Sequence, residues 1–334
     1  MNSKIKNRLT PILFAVITAA VITAAVVSVC VGKYTITTAD IQAILKGEQV
    51  QAMTRKVFTT LRLPRTVMAL IAGVGLGIAG SVYQIIFKNP LASPDIIGIA
   101  GGANLGAAVA IVSVSMIAIA AGAFWGGLIA VVCVMLLVKA TRSRSTSTYV
   151  LAGIVINAIS KAAIMALKYF ADPENELAAM EYWEMGTFGN TTLSKLLSIR
   201  PMFLIGLAGI LLLRRQIELM SLSDNECRAL GVRLRPVRAA VLALSTLMVG
   251  SIISVTGLIS FAGLIAPHTA RLMLRRNDST TIIMSGLVGA FVVLTADILA
   301  RVLYSAELPI SILTTVIGVP ILIYFLCARG KDVS

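Results

Sequence analysis

The chain has 334 residues, of which 57% are hydrophobic and only 13% charged, with a mean hydropathy of +0.92; a soluble domain carries about twice that charged fraction, so a soluble globular protein is excluded. A net charge of +14 could point to nucleic acid, but the basic residues lie in loops between apolar stretches, where anionic lipid and the positive-inside rule account for them and no nucleic-acid partner is expected. Crossing hydrocarbon takes ~20 apolar residues, so the sequence predicts an all-α, polytopic integral membrane protein, one transmembrane domain over residues 1–334.

Ten spans are predicted: 11–31, 64–87, 95–113, 116–139, 149–171, 197–213, 236–256, 259–268, 280–302 and 309–327. The first follows Lys4, Lys6 and Arg8 and lacks a small-x-small cleavage site before a soluble sequence, so it is read as a retained helix rather than a signal peptide. Residues 37–45 (TTADIQAIL) begin on Thr and Asp and place Ile41, Ile44 and Leu45 at helical spacing, a short amphipathic helix on the outer surface. Residues 172–190, with Glu174, Glu176, Glu181 and Glu184 beside Tyr182 and Trp183, read as an outer loop with an aromatic anchor. Ten crossings put both termini on one side. If that side is the cytoplasm, its loops carry a net charge of about +12 against about +2 outside.

Two stretches are broken where a span should be continuous: 89–102 (NPLASPDIIGIAGG) and 257–268 (GLISFAGLIAPH). Freed backbone groups in hydrocarbon need partners inside the protein or in a water-filled cavity, so matched breaks in two halves of a chain point to a transporter built from inverted repeats. Residues 61–82 and 232–253 echo one another, each running from a basic, Pro-containing start into a small-residue helix with a Gly-Ser pair near its end.

Between spans six and seven, residues 220–236 (MSLSDNECRALGVRLRP) read as a short helix over 224–230. Ser223 and Glu226 fit a capping box and Gly231 fits the C′ position, a shape suited to docking in a groove on a partner protein. No GxxxxGK[ST], HExxH or GxSxG motif occurs, the only histidine is His268, and Cys30, Cys133, Cys227 and Cys327 lie far apart. Neither an enzyme nor a metal site is indicated. Asp297, the one mid-span carboxylate, precedes Arg301 by four residues and is expected to orient it. Lys161 lies midway in span five, where a lysine is costly, and shares a helical face with Asn157 and Lys168.

Four blocks in order, 62–65 (RLPR), 89–98 (NPLASPDIIG), 257–271 (GLISFAGLIAPHTAR) and 307–324 (ELPISILTTVIGVPILIY), together with Glu226, Ala229 and Gly231 in an E-x-x-A-x-G pattern, resemble the iron-siderophore, haem and vitamin B12 (FecCD-type) permeases of ATP-binding-cassette importers. The resemblance implies a ten-helix type II importer permease of the cytoplasmic (inner) membrane, with both termini in the cytoplasm. It implies a second permease subunit, as a homodimer or with a similar paralogue, two cytoplasmic ATPase subunits and an extracytoplasmic substrate-binding protein. No cofactor is expected on the chain itself, ATP being used by the partner subunits.

By the same resemblance, Asp224, Glu226, Ala229, Leu230 and Gly231 couple to the ATPase, and Arg62, Arg65 and Arg301 dock glutamates of the binding protein at the outer face. Asn89, Pro90, Gly257 and Pro267 are expected at inner gates of the path. Lys161 has no counterpart in the family pattern; Asn157 and Lys161 are expected to line that path and assist an anionic chelate, the alternative being that Lys161 pairs with a buried backbone carbonyl or snorkels through the protein. The expected cargo is a ferric siderophore. Haem and vitamin B12 use the same scaffold, and an ion-coupled secondary transporter is the alternative from another class.

Overall fold

The computed structural model describes residues 3–113, 118–141 and 145–330; the predicted start of the fourth span at 116 lies outside them. All regular structure among the described residues is helical: α1 (Ser3–Cys30), α2 (Thr38–Lys46), α3 (Ala52–Val57), α4 (Leu63–Ile86), α5 (Ile99–Ser113), α6 (Ile119–Ala140), α7 (Thr146–Phe170), α8 (Ala178–Met185), α9 (Leu193–Leu212), α10 (Arg214–Leu219), α11 (Asp224–Ala229), α12 (Leu234–Thr256), α13 (Ala262–Leu274), α14 (Ser279–Val302) and α15 (Ile310–Gly330). The ten predicted spans correspond to α1, α4–α7, α9 and α12–α15. Seven continuous helices are long and apolar enough to cross a membrane, and α5 and Ile310–Phe325 of α15 are shorter apolar helices. The amphipathic helix predicted at 37–45 is α2, closed by a capping box between Thr37 and Asp40.

The helix of the second span starts earlier than predicted, running without a break from Ala52 to Ile86. A π-turn over Phe58–Arg62 joins α3 to α4, and Pro64, which has no N–H to donate, follows directly on that turn within the continuous helix. Residues 172–190, predicted as a loop, are largely helical: a π-turn over Pro173–Leu177 leads into α8. The Asp172 side chain caps that turn by accepting from the Glu174 N–H at 3.3 Å. Lys168 then ties α8 to α7 through Glu181 at 2.7 Å and Glu184 at 2.9 Å, two acids three apart on one face.

Lipid tails give apolar helices no hydrophobic reason to associate, so close packing must come from small residues. A Cβ on Gly106 of α5 would overlap the Gly122 carbonyl of α6, and one on Gly102 would overlap Gly126. These two small-xxx-small pairs set the α5–α6 contact. The same device joins α4 to α13, where a Cβ on Gly80 would strike the Gly263 carbonyl. Helix α4 is the centre, with 83% of its apolar window buried, whereas α7 and α9 bury only 22% and face outward.

Neighbour relations repeat in two halves. Helix α4 packs on α14 as α12 packs on α6, and α5 meets α6 and α7 as α13 meets α14 and α15, while α1 lies chiefly on α14 and α9 on α12. Units α4–α7 and α12–α15 therefore have the same internal arrangement, and they run in opposite directions. One end of the bundle gathers the start of α4 with the ends of α1, α12 and α14. The other gathers the end of α4, α11, the start of α12 and the end of α13.

The two breaks lie at different ends, which corrects the expectation that both form inner gates. Residues 87–98 turn at the α11 end: Asn89 Oδ1 accepts from the Leu91 N–H at 2.9 Å, and a 3₁₀ turn over Pro94–Ile97 ends on Gly98 with φ +90°. Gly257 (φ +69°) lies at the opposite end, where α12 stops, packed against Trp183 and Gly186. The chain then returns without helix until α13. Its free backbone groups are met locally: the Thr187 N–H donates to Thr256 O at 2.8 Å, the Ser311 hydroxyl to Leu258 O at 3.0 Å, and the Ser260 N–H to Ser311 Oγ at 3.3 Å. Because α12 and α4 run antiparallel, matched breaks following them must fall at opposite ends.

Candidate functional site

At one end, α11 has only six residues, far too few to be stable as an isolated helix. Both its ends are locked. The Ser223 N–H and hydroxyl donate to Glu226 Oε2 at 2.8 and 2.7 Å, and the Glu226 N–H donates back to Ser223 Oγ at 3.3 Å. At the other end the Gly231 N–H reaches Arg228 O and the Val232 N–H reaches Cys227 O, each at 3.0 Å, with Gly231 at φ +80°; this is a Schellman closure. Buried Cys227 anchors the helix to the body, its thiol donating to Leu219 O at 3.0 Å.

Asp224 accepts from Lys88 Nζ at 2.8 Å. Arg238, 3.9 Å away, lies over the Tyr149 ring. The hydrogen bond from Lys88 holds the Asp224 carboxyl below its usual range, and those from Ser223 do the same for Glu226. Ala229, Leu230 and Gly231 are left exposed, forming a small apolar tip. Lys88 was not singled out in the sequence; it adjoins Asn89, so it ties α11 directly to the first break. Asn89 and Pro90 line a chamber of about 1120 Å³ at this end, below Gln84 and Arg271. Pro267 and His268 are buried in α13. His268 Nδ1 lies 2.7 Å from Leu264 O and its ring meets Phe325 edge-on, the arrangement of a packing group.

At the opposite end the three predicted docking arginines come together, but not on display. Arg62 and Arg65 are buried, and the Arg301 side chain is 5% exposed. Arg65 Nε donates to Asp297 Oδ1 at 2.9 Å and its Nη1 to both Glu307 oxygens at 2.8 Å. Arg301 Nη2 lies 2.9 Å from Asp297 Oδ2, as the i,i+4 spacing predicted. Arg301 Nη1 donates to Ser28 O and Val31 O at 3.0 Å, and Arg62 donates to Val31 O and Tyr34 O. Two guanidinium groups thus cap the carbonyl end of α1, the negative pole of its dipole. These charges are committed to partners within the chain. They border a cavity of about 310 Å³ also lined by Glu307, overlooked within its ELPI block, which is the exposed partner of Arg65 with a side chain 44% exposed.

On α7 the predicted trio separates. Asn157 Nδ2 donates to Asp95 O at 2.7 Å, bracing the first break, and Lys168 pairs with α8. Lys161 is exposed among Ile154, Val155, Ile159 and Met165, and no side-chain hydrogen bond or ion pair of its own is found among the described residues.

Comparison with known proteins adds to this geometry. The model of the FecCD transport family matches residues 17–328. The chain is 34% identical over 328 residues to the molybdate import system permease protein MolB of Haemophilus influenzae, covering 96% of each chain. It is 33% identical to the hemin transport system permease protein HmuU of Yersinia pestis, covering 83% of this chain and 85% of that one. It is also 33% identical to the vitamin B12 import system permease protein BtuC of Escherichia coli O157:H7, covering 81% and 83%. A solved inward-facing transporter described as of metal-chelate ABC type superimposes with a TM-score of 0.86 at 32% identity, over 95% of this chain and 99% of that one.

Proposed function

The chain belongs to the FecCD transport family, the membrane permeases of ATP-binding-cassette importers, and from that premise we propose that it carries a ferric siderophore inward. In this reading two copies, or this chain and a similar paralogue, frame a central path. Two separate ATPase subunits clamp the cytoplasmic end, and an extracytoplasmic binding protein delivers cargo to the arginine end. The chain hydrolyses nothing itself.

The observation that carries the mechanism is the Lys88–Asp224 ion pair. The exposed tip of α11 (Ala229, Leu230, Gly231) seats in a groove on the ATPase, with the Glu226 cap keeping it rigid. When nucleotide draws the ATPases together, α11 moves, and Asp224 pulls on Lys88 and hence on Asn89 and Pro90 at the inner mouth. Gly257 and Pro267, on the segment returning from the far end, move with α13. At the arginine end the binding protein meets Glu307 and the rim of the cavity, while Arg62, Arg65 and Arg301 hold that rim in shape.

Lys161 supports an anionic cargo. A lysine amid an exposed apolar helix face costs ~2.5–3.5 kcal/mol against lipid, so facing a wet path relieves it. Its charge suits a carboxylate- or catecholate-type ferric chelate, and it equally suits the carboxylates of haem or the molybdate anion; molybdate, haem and vitamin B12 are the cargoes named for relatives of similar identity. An ion-coupled carrier is disfavoured because Asp297 is fully buried and paired with two arginines. The test is uptake by vesicles holding the permease, ATPase and binding protein, offered ferric siderophores, haem, vitamin B12 and molybdate in turn. ATP-dependent uptake of a ferric siderophore alone supports the proposal, and uptake of only one of the others replaces it. Lys161→Ala should slow an anionic chelate and spare a neutral one.

A further inference from the structure

The chamber at the α11 end, about 1120 Å³, exceeds the ~300–1,000 Å³ usual for small-molecule sites. Its described lining includes Lys88, Arg271 and Arg275 and no carboxylate. Three non-glycine residues in the described chain have positive φ, and two of them, Lys88 (φ 48°) and Arg275 (φ 52°), are basic and line this one chamber. Each ends a helix, α4 or α13, in the left-handed conformation that glycine adopts freely and other L-residues only at a cost.

A chain that places long cations at two turns suited to glycine holds them there for what their side chains do; such strain gathers at ligand clamps and switches. Lys88 is accounted for by Asp224. Arg275 is not: it is exposed, and no side-chain hydrogen bond or ion pair of its own is found among the described residues. Ser221, at the foot of α11, lines the same space, so the chamber continues the surface formed by α11.

We propose that this chamber receives an acidic segment of the ATPase subunit, with Arg275 as the cation that recognises its carboxylates. This rests on the reading that a separate ATPase docks at the α11 end. Arginine suits the role because its planar fork can hold a carboxylate through two parallel hydrogen bonds, and a charged contact bordering the docking helix sets orientation as well as encounter rate. The arrangement gives the ATPase two holds on each permease: an apolar tip in a groove, and an acidic segment drawn into a basic chamber.

The test uses the full-length permease in nanodiscs with its purified ATPase, measuring affinity from low to high salt together with the thermal stability of the permease alone. Arg275→Gly relaxes the turn, so the permease should melt no lower than wild type, while affinity for the ATPase falls roughly tenfold and loses part of its salt dependence. Arg275→Glu should weaken binding further. Wild-type affinity in both variants overturns the proposal. So does a lower melting temperature in Arg275→Gly, which would make the side chain structural. Loss of binding to anionic-lipid vesicles or inorganic phosphate, with ATPase affinity unchanged, also overturns it by naming another occupant. If wild-type permease itself fails to bind the ATPase, the docking reading falls first and this inference with it.

Discussion

Asp297 is a fully buried carboxylate holding two guanidinium groups. Removing one partner from a buried charge network leaves the others uncompensated, at a cost of ~3–5 kcal/mol. Asp297→Ala should therefore sharply lower the melting temperature of the purified permease, while Glu307→Gln, on a 44% exposed partner, should cost no more than ~1 kcal/mol. A large effect at Glu307 with a small one at Asp297 would reverse this order of importance. The Lys88–Asp224 pair sets a pH expectation. Because Lys88 depresses the Asp224 pKa, the contribution of the pair is complete above the ordinary carboxylate value of ~3.9 and is lost as pH falls through the lower folded value. Coupling of ATP hydrolysis to uptake should not vary between pH 5 and 8 on account of this pair, as rate measurements across that range can check.

At the scale of elements, α11 exists by virtue of its caps. Ser223→Ala removes one of them and should destabilise the helix by ~1 kcal/mol, seen as faster amide exchange over 224–230. Glu226→Arg and Gly231→Pro should leave the protein inserted and folded but dissociate ATP hydrolysis from transport; normal uptake by both would rule out the docking role of α11. The sequence disclosed this element well because capping is local: Ser223, Glu226 and Gly231 announce it within nine residues. The ten spans were legible for a similar reason, each being a run of apolar residues. What escaped were features made by distant partners. The Glu-rich stretch at 172–190 looks like a loop until Lys168 supplies its counter-charge, and RLPR looks like a surface motif until Val31 and Asp297 arrive from distant parts of the chain. Gly257 was assigned to the wrong end because a break in hydropathy marks an interruption without giving its depth.

For the whole molecule, the two halves with matching neighbours form a frame with distinct ends: α11 and the first break at one, Glu307 and the second break at the other. Vesicles containing the permease alone should not accumulate cargo uphill; accumulation without nucleotide or partner subunits would refute the importer mechanism. The capping of α1 by Arg62 and Arg301 has a consequence for assembly. Ser28 is made early, yet Arg301, which grips it, follows 273 residues later, on the order of 15–50 s of synthesis at ordinary ribosome speeds. Arg62 reaches the end of the first helix early, but the second of its two guanidinium caps arrives only on a nearly finished polypeptide. A truncated product ending before α14 would carry a first helix held by Arg62 alone, with the Ser28 carbonyl left without its Arg301 donor, a mark by which membrane quality control could tell it from the complete protein.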